Sequence, residues 1–236
     1  MASLEGKARA DYVQDMFDRI AARYNVMNRM MTFGQDMKWR RFVVRQTHLQ
    51  PGAKLLDLAT GTGDIAFEAL RMIPGVIAVG GDFSLGMMRV GKRLPLGKNV
   101  LWNGADALNL PYAANTFEAI TAGYLIRNVY DIPRAFAEQL RVLKPGGRVV
   151  ILDTSPPPHN LLRPFILFHL KYVIPTLGKL ISRNADAYRY LPESTQAFKT
   201  PDELATQMRT AGFVNVGYKT FMFATMAVHW GEKPTP

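Results

Sequence analysis

Lys54-Leu55-Leu56-Asp57-Leu58-Ala59-Thr60-Gly61-Thr62-Gly63-Asp64 is the stretch that decides the fold of this chain. The apolar run Leu55, Leu56 and Leu58 has the length of a strand. It stops at the pair Gly61 and Gly63, and an apolar-periodic segment, Ile65, Phe67, Ala69 and Leu70, begins at once. That order predicts a strand, a tight turn and a helix start. Glycine suits a turn whose backbone must come close to a ligand, and the free N–H groups of a helix's first turn favour an electron-rich group. The expected tenant is nucleotide-like. A glycine pair alone is a weak signal, because many strand-to-helix turns need glycine for backbone reasons only.

Acids narrow the choice. Asp57 stands near the strand's end, Asp64 follows the second glycine, and Asp82 closes the next apolar run, Val76 to Asp82. An acid at the end of the second strand, about 20 residues past the glycines, is placed to bind both hydroxyls of a ribose. Gly61 to Ala66 also satisfies a dinucleotide fingerprint whose third position is alanine. A pyrophosphate repels neighbouring carboxylates, whereas a sulfonium cofactor carrying an amino acid accepts them. Carboxylates flank this turn on both sides, so the motif points to S-adenosylmethionine ahead of NAD.

The rhythm continues along the chain. Ser84 is placed to cap a helix reaching Arg93, Val100 to Trp102 reads as a short strand, and Ala105-Asp106-Ala107 follows it. Phe117 to Tyr124 is the fourth strand; Pro133 opens a helix ending at Leu143, and Lys144 to Gly147 turns it into a fifth strand, Arg148 to Leu152. Strands alternating with helices predict an α/β fold, a doubly wound, mostly parallel sheet whose ligands sit at the carboxyl ends of the strands. The candidate cofactor residues are therefore Asp57, Gly61, Thr62, Gly63, Asp82, Phe83, Asp106, Ala107 and Gly123. Pro201 to Ala211 reads as a last helix, with Val214 to Tyr218 and Phe221 to His229 as a closing pair of strands.

The chain has 236 residues, 48% of them hydrophobic, enough for one sizeable core. The expected organisation is one domain: an N-terminal helical cap over 1–50, a cofactor-binding core over 51–153, a helical insertion over 154–199 and closing elements over 200–236. No export signal is visible in the polar first ten residues, which points to a cytoplasmic location. The sequence has no cysteine, so it offers no disulfide, thiolate metal site or cysteine nucleophile. The formal charge of +10 is uneven: 1–50 carries +4, 51–158 carries +2, 159–199 carries +4 and the remainder is neutral. Basic flanks suit nucleic acid, anionic lipid or plain solvated surface.

Residues 10–31 place Val13, Met16, Phe17, Ile20 and Tyr24 at helical spacing, which predicts an amphipathic helix lying over the core. A second helix is expected from about Arg41 to His48. The insertion opens with the stiff Ser155-Pro156-Pro157-Pro158-His159 and continues as an apolar run broken by Arg163, His169, Lys171, Pro175 and Lys179. It is too interrupted to span a bilayer and reads as a pocket lid, an interfacial segment or a buried hairpin. His48, His159, His169 and His229 are read as packing or surface groups.

At this point the residues carry a resemblance. Tyr24-Asn25-Val26-Met27-Asn28 with Thr32, Gly34 and Trp39, then Tyr124-Leu125-Ile126-Arg127-Asn128-Val129, Arg141 to Gly147, and Tyr190-Leu191-Pro192-Glu193-Ser194 resemble motifs of the ubiquinone/menaquinone-biosynthesis C-methyltransferases. The resemblance covers essentially the whole chain. Asn25, Thr32 and Asp36 stand where that family usually shows Asp, Ser and His; Gly123 and Leu125 replace Ser and Gly, and Asp153 replaces Glu. The resemblance implies a class I methyltransferase fold, Rossmann-like, with an antiparallel last strand. It implies S-adenosylmethionine as cofactor, no metal, and methyl transfer to a ring carbon of a prenylated benzoquinol or naphthoquinol. Arg127 and Asn128 would hold the quinol oxygen, with Tyr24 closing the pocket. Arginine does not serve as a plain base at neutral pH, so Arg127 would anchor the phenolate or a relaying water.

A bilayer-resident substrate further implies transient contact with an anionic membrane surface at its inner face, through Phe165, Phe168 and neighbouring apolar residues beside Arg163, Lys171, Lys179 and Arg183. A homodimer is one option for assembly. Two rival classes stand against this. A methyltransferase for a natural-product hydroxyl, a sugar or an amine would keep the cofactor motifs. A nucleic-acid methyltransferase would suit the basic flanks, but its Asn-Pro-Pro-aromatic type of motif is absent after the fourth strand, where Gly123 to Asn128 stands instead, so nucleic acid is not an expected partner.

Overall fold

A computed structural model describes residues 6–21, 24–173, 176 and 194–236. Pro175, Lys179, Arg183 and Tyr190 to Glu193, all named above, lie outside them. Seven strands, β1 (Lys54–Leu58), β2 (Ile77–Asp82), β3 (Val100–Gly104), β4 (Phe117–Gly123), β5 (Leu143–Thr154), β6 (Val214–Phe221) and β7 (Met226–Glu232), form one sheet in the order β3-β2-β1-β4-β5-β7-β6. The first five run parallel, and β7 is antiparallel to both β5 and β6. This is the doubly wound sheet with an antiparallel last strand that the alternating pattern and the resemblance predict.

The described helices are α1 (Gly6–Ile20), α2 (Tyr24–Met31), α3 (Asp36–Gln46), α4 (Asp64–Met72), α5 (Leu85–Lys92), α6 (Ile132–Val142), α7 (Arg163–Phe168) and α8 (Pro201–Thr210), with a π-helical turn His169–Val173 continuing α7. Successive strand residues face opposite sides, so a strand covered on both faces must be apolar throughout. Leu56, Ile120, Val149 and Ile151 meet Phe136, Met208 and Phe213 on one face, while Leu55, Ala119, Val150 and Leu152 meet Trp39, Val43 and Ile65 on the other. Among the described residues no helix is long and apolar enough to cross a membrane.

Several boundaries differ from the expected ones, among them the closing pair, where Phe221 ends β6 instead of opening the last strand, which starts at Met226. The helix read over 10–31 is two helices, because Val13, Met16, Ile20 and Met27 close a cluster of their own and Phe17 meets Tyr24 edge-on with centroids 5.8 Å apart. Helix α3 begins at Asp36, five residues before Arg41, and so buries Trp39 and Arg40. Asp36 is what its first turn is built around: it is buried, pairs with Arg40 at 3.0 Å and Arg29 at 3.1 Å, and accepts a hydrogen bond from the Thr32 hydroxyl at 3.1 Å. Finally, Lys144 to Gly147 lies inside β5. A Cβ on Gly147 would come within 2.8 Å of the Lys144 carbonyl oxygen and 2.9 Å of that of Glu118, so this Gly-Gly pair is an irregularity of paired backbone rather than a free turn.

The two turn glycines also divide. Gly63 has φ +88°, and a Cβ there would stand 2.7 Å from the Trp102 ring and 3.0 Å from that of Phe67. Its need for glycine comes from this packing. Gly63→Ala is expected to destabilise the fold by about 1–3 kcal/mol, from overpacking and a left-handed alanine together. Thermal unfolding measures it, and an unchanged midpoint would refute the packing explanation.

Candidate functional site

A cavity of about 580 Å³ opens at the carboxyl edge of the sheet. One half is walled by Gly61, Asp82, Phe83, Met87, Asp106 and Ala107; the other by Tyr24, Gly123, Tyr124 and Asn128, with Val13, Gln14 and Phe17 of α1 across the top. Of the candidates read from sequence, Asp57, Thr62, Gly63 and Arg127 do not line it. Each is engaged immediately behind its wall.

Asp57 is a buried brace. Its Oδ1 accepts from the Thr121 hydroxyl at 2.7 Å, and its Oδ2 accepts from the Thr60 hydroxyl at 2.7 Å and the Ala66 amide at 3.2 Å. One carboxylate thus ties β1 to β4, to the glycine turn and to the first turn of α4. Burial raises its pKa from 3.8 to about 6, against the pull of Thr60, Thr121 and the Ala66 amide and with a further push from Asp82. Thr62 donates to Asn25 Oδ1 at 2.8 Å, and Asp64 pairs with Arg40 at 3.2 Å, so both bind the N-terminal helices to the turn.

Asp82 does reach the cavity, and it also serves the backbone. Its Oδ2 accepts from the Gly61 amide at 2.6 Å and its Oδ1 from the Ser84 amide at 2.7 Å. Burial raises its pKa, those amides oppose the rise, and Asp18 adds to it. Each carboxylate oxygen keeps a further acceptor direction for a ligand hydroxyl. Asp18, which no sequence signal marked, accepts from the Ser84 hydroxyl and from the Gly86 amide at 2.9 Å, and Gln14 donates to the Phe83 carbonyl at 3.1 Å. These contacts hold α1 over the cofactor half. Asp106 sits at the rim with Oδ1 accepting from the Leu108 amide at 2.9 Å.

On the other half, Arg127 is buried and its Nη1 reaches Asp153 at 3.3 Å and the Thr154 hydroxyl at 3.0 Å. Its guanidinium lies 5.0 Å from the centroid of the Tyr124 ring. Burial raises the pKa of Asp153 while Arg127 draws it back, the balance expected of a buried pair. Asn128 lines the cavity, and its Nδ2 donates to the Tyr124 carbonyl at 2.7 Å. Burial raises Tyr24 as well, opposed by Asn28 and by the charges of Arg127 and Arg40. The histidines stay apart from the cavity: His229 is buried against the Pro201 carbonyl at 2.9 Å with its pKa lowered by burial to about 4, and the rings of His48 and His159 lie within hydrogen-bond distance of Arg148 and Arg163.

The Asp57 brace yields a pH test. The folded state holds this proton more tightly than the unfolded chain does, so the group adds stability below about pH 4 that is lost as pH rises through about 6. The amount is on the order of 3 kcal/mol. Asp57→Asn cannot ionise, and its amide can serve the same partners once the Thr121 hydroxyl turns to accept. The fall in unfolding midpoint between roughly pH 4 and pH 7 is therefore expected to shrink in the variant. Superimposable pH profiles would show that Asp57 does not titrate in the fold.

Known proteins share both the fold and the sequence. The model of the ubiE/COQ5 methyltransferase family matches residues 5–233. The chain is 50% identical to the ubiquinone/menaquinone biosynthesis C-methyltransferase UbiE of Desulfotalea psychrophila, covering 98% of this chain and 96% of that protein. It is 42% identical to the demethylmenaquinone methyltransferase of Thermus thermophilus, covering 93% and 100%. Among solved structures it resembles an SAM-dependent methyltransferase of Thermotoga maritima (TM-score 0.65, 19% identity, 93% and 98% covered) and the [4+2]-cyclase SpnF (TM-score 0.69, 18% identity, 95% and 96% covered). The cyclase shows that this architecture alone does not dictate methyl transfer, whereas the sequence match extends almost from end to end. The chain belongs to the ubiE/COQ5 methyltransferase family and is an S-adenosylmethionine-dependent methyltransferase.

Proposed function

We propose that the acceptor is a prenylated benzoquinol or naphthoquinol, methylated at a ring carbon, and that the two halves of the cavity divide between donor and acceptor. The observation that carries this is the continuity of one cavity from the glycine turn to the end of β4, closed by Tyr24 from the N-terminal cap. Asp82 would hold the ribose hydroxyls, Gly61 would let backbone approach the ligand, and Phe83, Ala107 and Leu108 would supply apolar walls for a purine. When bound, S-adenosylmethionine supplies a methyl group on a sulfonium sulfur. Transfer of that methyl to the ring carbon would release the demethylated cofactor, and the proton displaced from the ring would pass to solvent water.

A quinol carbon becomes nucleophilic as its neighbouring hydroxyl ionises, so the site must favour phenolate. Burial raises the phenols of Tyr24 and Tyr124 that wall the acceptor half, and the charges of Arg127 and Arg40 both oppose that rise. A phenolate in the same place would feel the same field. Incubation with labelled S-adenosylmethionine and a panel of short-chain benzoquinols and naphthoquinols is expected to put label on a ring carbon. Label on an amine or a hydroxyl, with every quinol inert, would replace this reading by that of another small-molecule acceptor.

The second part of the proposal is that the enzyme works at the inner membrane face. Leu161, Phe165, Phe168 and Tyr172 are exposed on and around α7 beside Arg163 and Lys171, and Phe33 and Phe223 are exposed on neighbouring loops. From Thr154 to Ala185 the sequence contains no acidic residue. Apolar side chains among cations suit an anionic interface, each cation contributing on the order of 1 kcal/mol that salt weakens. Phe165 is 74% exposed and Phe168 61%, so replacing both by Asp is expected to leave the melting temperature unchanged and to abolish sedimentation with anionic vesicles. A folded double variant that sediments like the wild type would end the membrane proposal.

A further inference from the structure

Arg127 from behind the acceptor wall and Asn128 from within it both contact Tyr124. This residue follows the carboxyl end of β4 with φ +59°, a left-handed conformation rarely adopted by an aromatic residue. Two hydrogen bonds hold it there: its amide donates to the Leu152 carbonyl at 2.7 Å, and its carbonyl accepts from Asn128 Nδ2 at 2.7 Å. The ring lines the cavity, with the Arg127 guanidinium 5.0 Å from its centroid and that guanidinium fixed in turn by Asp153 and Thr154. Among the described residues no group is hydrogen-bonded to the Tyr124 hydroxyl, and its oxygen is not one of the sealed polar atoms left without a partner. Backbone strain over-determined by its surroundings, next to a cavity and carrying an available hydroxyl, is the pattern of a residue held ready for a ligand.

Accepting the quinol reading above, we propose that Tyr124 is the residue that meets the acceptor, its hydroxyl donating a hydrogen bond to the quinol oxygen beside the carbon that is methylated, and that Arg127 and Asn128 are positioning residues acting through it. Tyr124 keeps its own proton throughout; it stabilises charge and is not the base. Burial, and then Tyr24, push its phenol above the ordinary range, so it remains a donor at neutral pH. The guanidinium over the ring sharpens that donor without entering the cavity. An oxygen that gains negative charge on the way to the transition state gains most from a fixed neutral donor of this kind. Asn128 holds the backbone that aims the ring, and Asp153 holds the arginine that polarises it.

Tyr124→Phe in the full chain tests this, because it removes one oxygen and leaves the ring, the backbone clamp and the arginine contact. With a short-chain quinol that the wild type methylates, kcat/KM is expected to fall roughly 10- to 100-fold. The dissociation constant for S-adenosylmethionine and the melting temperature should not move. The positioning claim is read from Arg127→Lys, which keeps the charge beside Asp153 and loses the planar stack. Its loss of kcat is expected to be large in the wild-type background and less than about threefold in the Tyr124→Phe background, because both changes act through one hydroxyl. Full activity of Tyr124→Phe would overturn the inference while leaving the quinol reading intact. An equal loss from Arg127→Lys in both backgrounds would overturn the positioning role, and a wild type inert toward every quinol would overturn the quinol reading and this inference with it.

Discussion

Everything at the carboxyl edge depends on one buried carboxylate. Asp57 has no contact with the cavity, yet its two oxygens collect the hydroxyls of Thr60 and Thr121 and the amide of Ala66. Removing any of these partners would leave part of a buried charge unsolvated, which costs far more than the bond itself contributes. The glycine turn, the start of α4 and the end of β4 therefore hold a common geometry. Asp82 repeats the device one strand over, accepting from Gly61 and Ser84 and so fixing the same turn from its open side. Burial raises the pKa of both acids, with a further push on Asp57 from Asp82 and on Asp82 from Asp18, while the hydrogen bonds each accepts oppose the rise.

Helices α1 and α2 are joined to that turn by polar contacts, whereas α3 also packs Trp39 and Val43 into the main apolar core. Thr62 meets Asn25, Asp64 meets Arg40, and Asp18 meets Ser84 and Gly86, while the apolar side chains Val13, Met16, Ile20 and Met27 pack mainly among themselves. A Cβ on Gly86 would stand 2.4 Å from the Asp18 carboxylate oxygen, so the close approach is built into both partners. Hydrogen bonds and ion pairs at a surface exchange with water at little cost, whereas a shared core does not.

The sheet was legible because its signals are local. Strand-length apolar runs, the cap at Ser84 and the proline near the start of α6 each sit within a few residues of the element they specify, and all fall where expected. The site was legible to the level of the loop and less so to the level of the atom. Gly63 and Gly61 look alike in sequence, and only Trp102, distant along the chain, separates a glycine kept for packing from one that lines the cavity. Asp57 was read as a ligand contact for its place at the strand's end and Arg127 through the resemblance, yet each is spent on partners that the fold brings from other strands, Thr121 in one case and Asp153 in the other. Tyr124 entered the sequence reading only as the aromatic that opens a matched motif, because its distinguishing property is a backbone angle. Asp18 lies on the polar face of an amphipathic helix, where a carboxylate needs no special explanation.

The distribution of charge around the cavity explains why these particular substitutions of role are tolerable. Acids gather on one side, with Asp82 and Asp106 on the wall and Asp18 behind it; guanidiniums gather on the other, with Arg127 and Arg40 acting on Tyr24 and Tyr124. On the quinol reading proposed above, a cationic sulfonium and a nascent phenolate would be drawn to opposite ends of such a field, and their reacting atoms would meet between them. Neither end needs a charged group in direct contact with the reacting centre, since a low-dielectric cavity carries the potential of a buried ion across one layer of side chains. Keeping Arg127 paired with Asp153 behind the tyrosine ring also avoids a bare cation in a pocket that must stay apolar enough to accept a greasy ring. The arginine's placement one layer back is thus a compromise between two demands on the same wall: favour negative charge on one oxygen, and remain welcoming to hydrocarbon everywhere else.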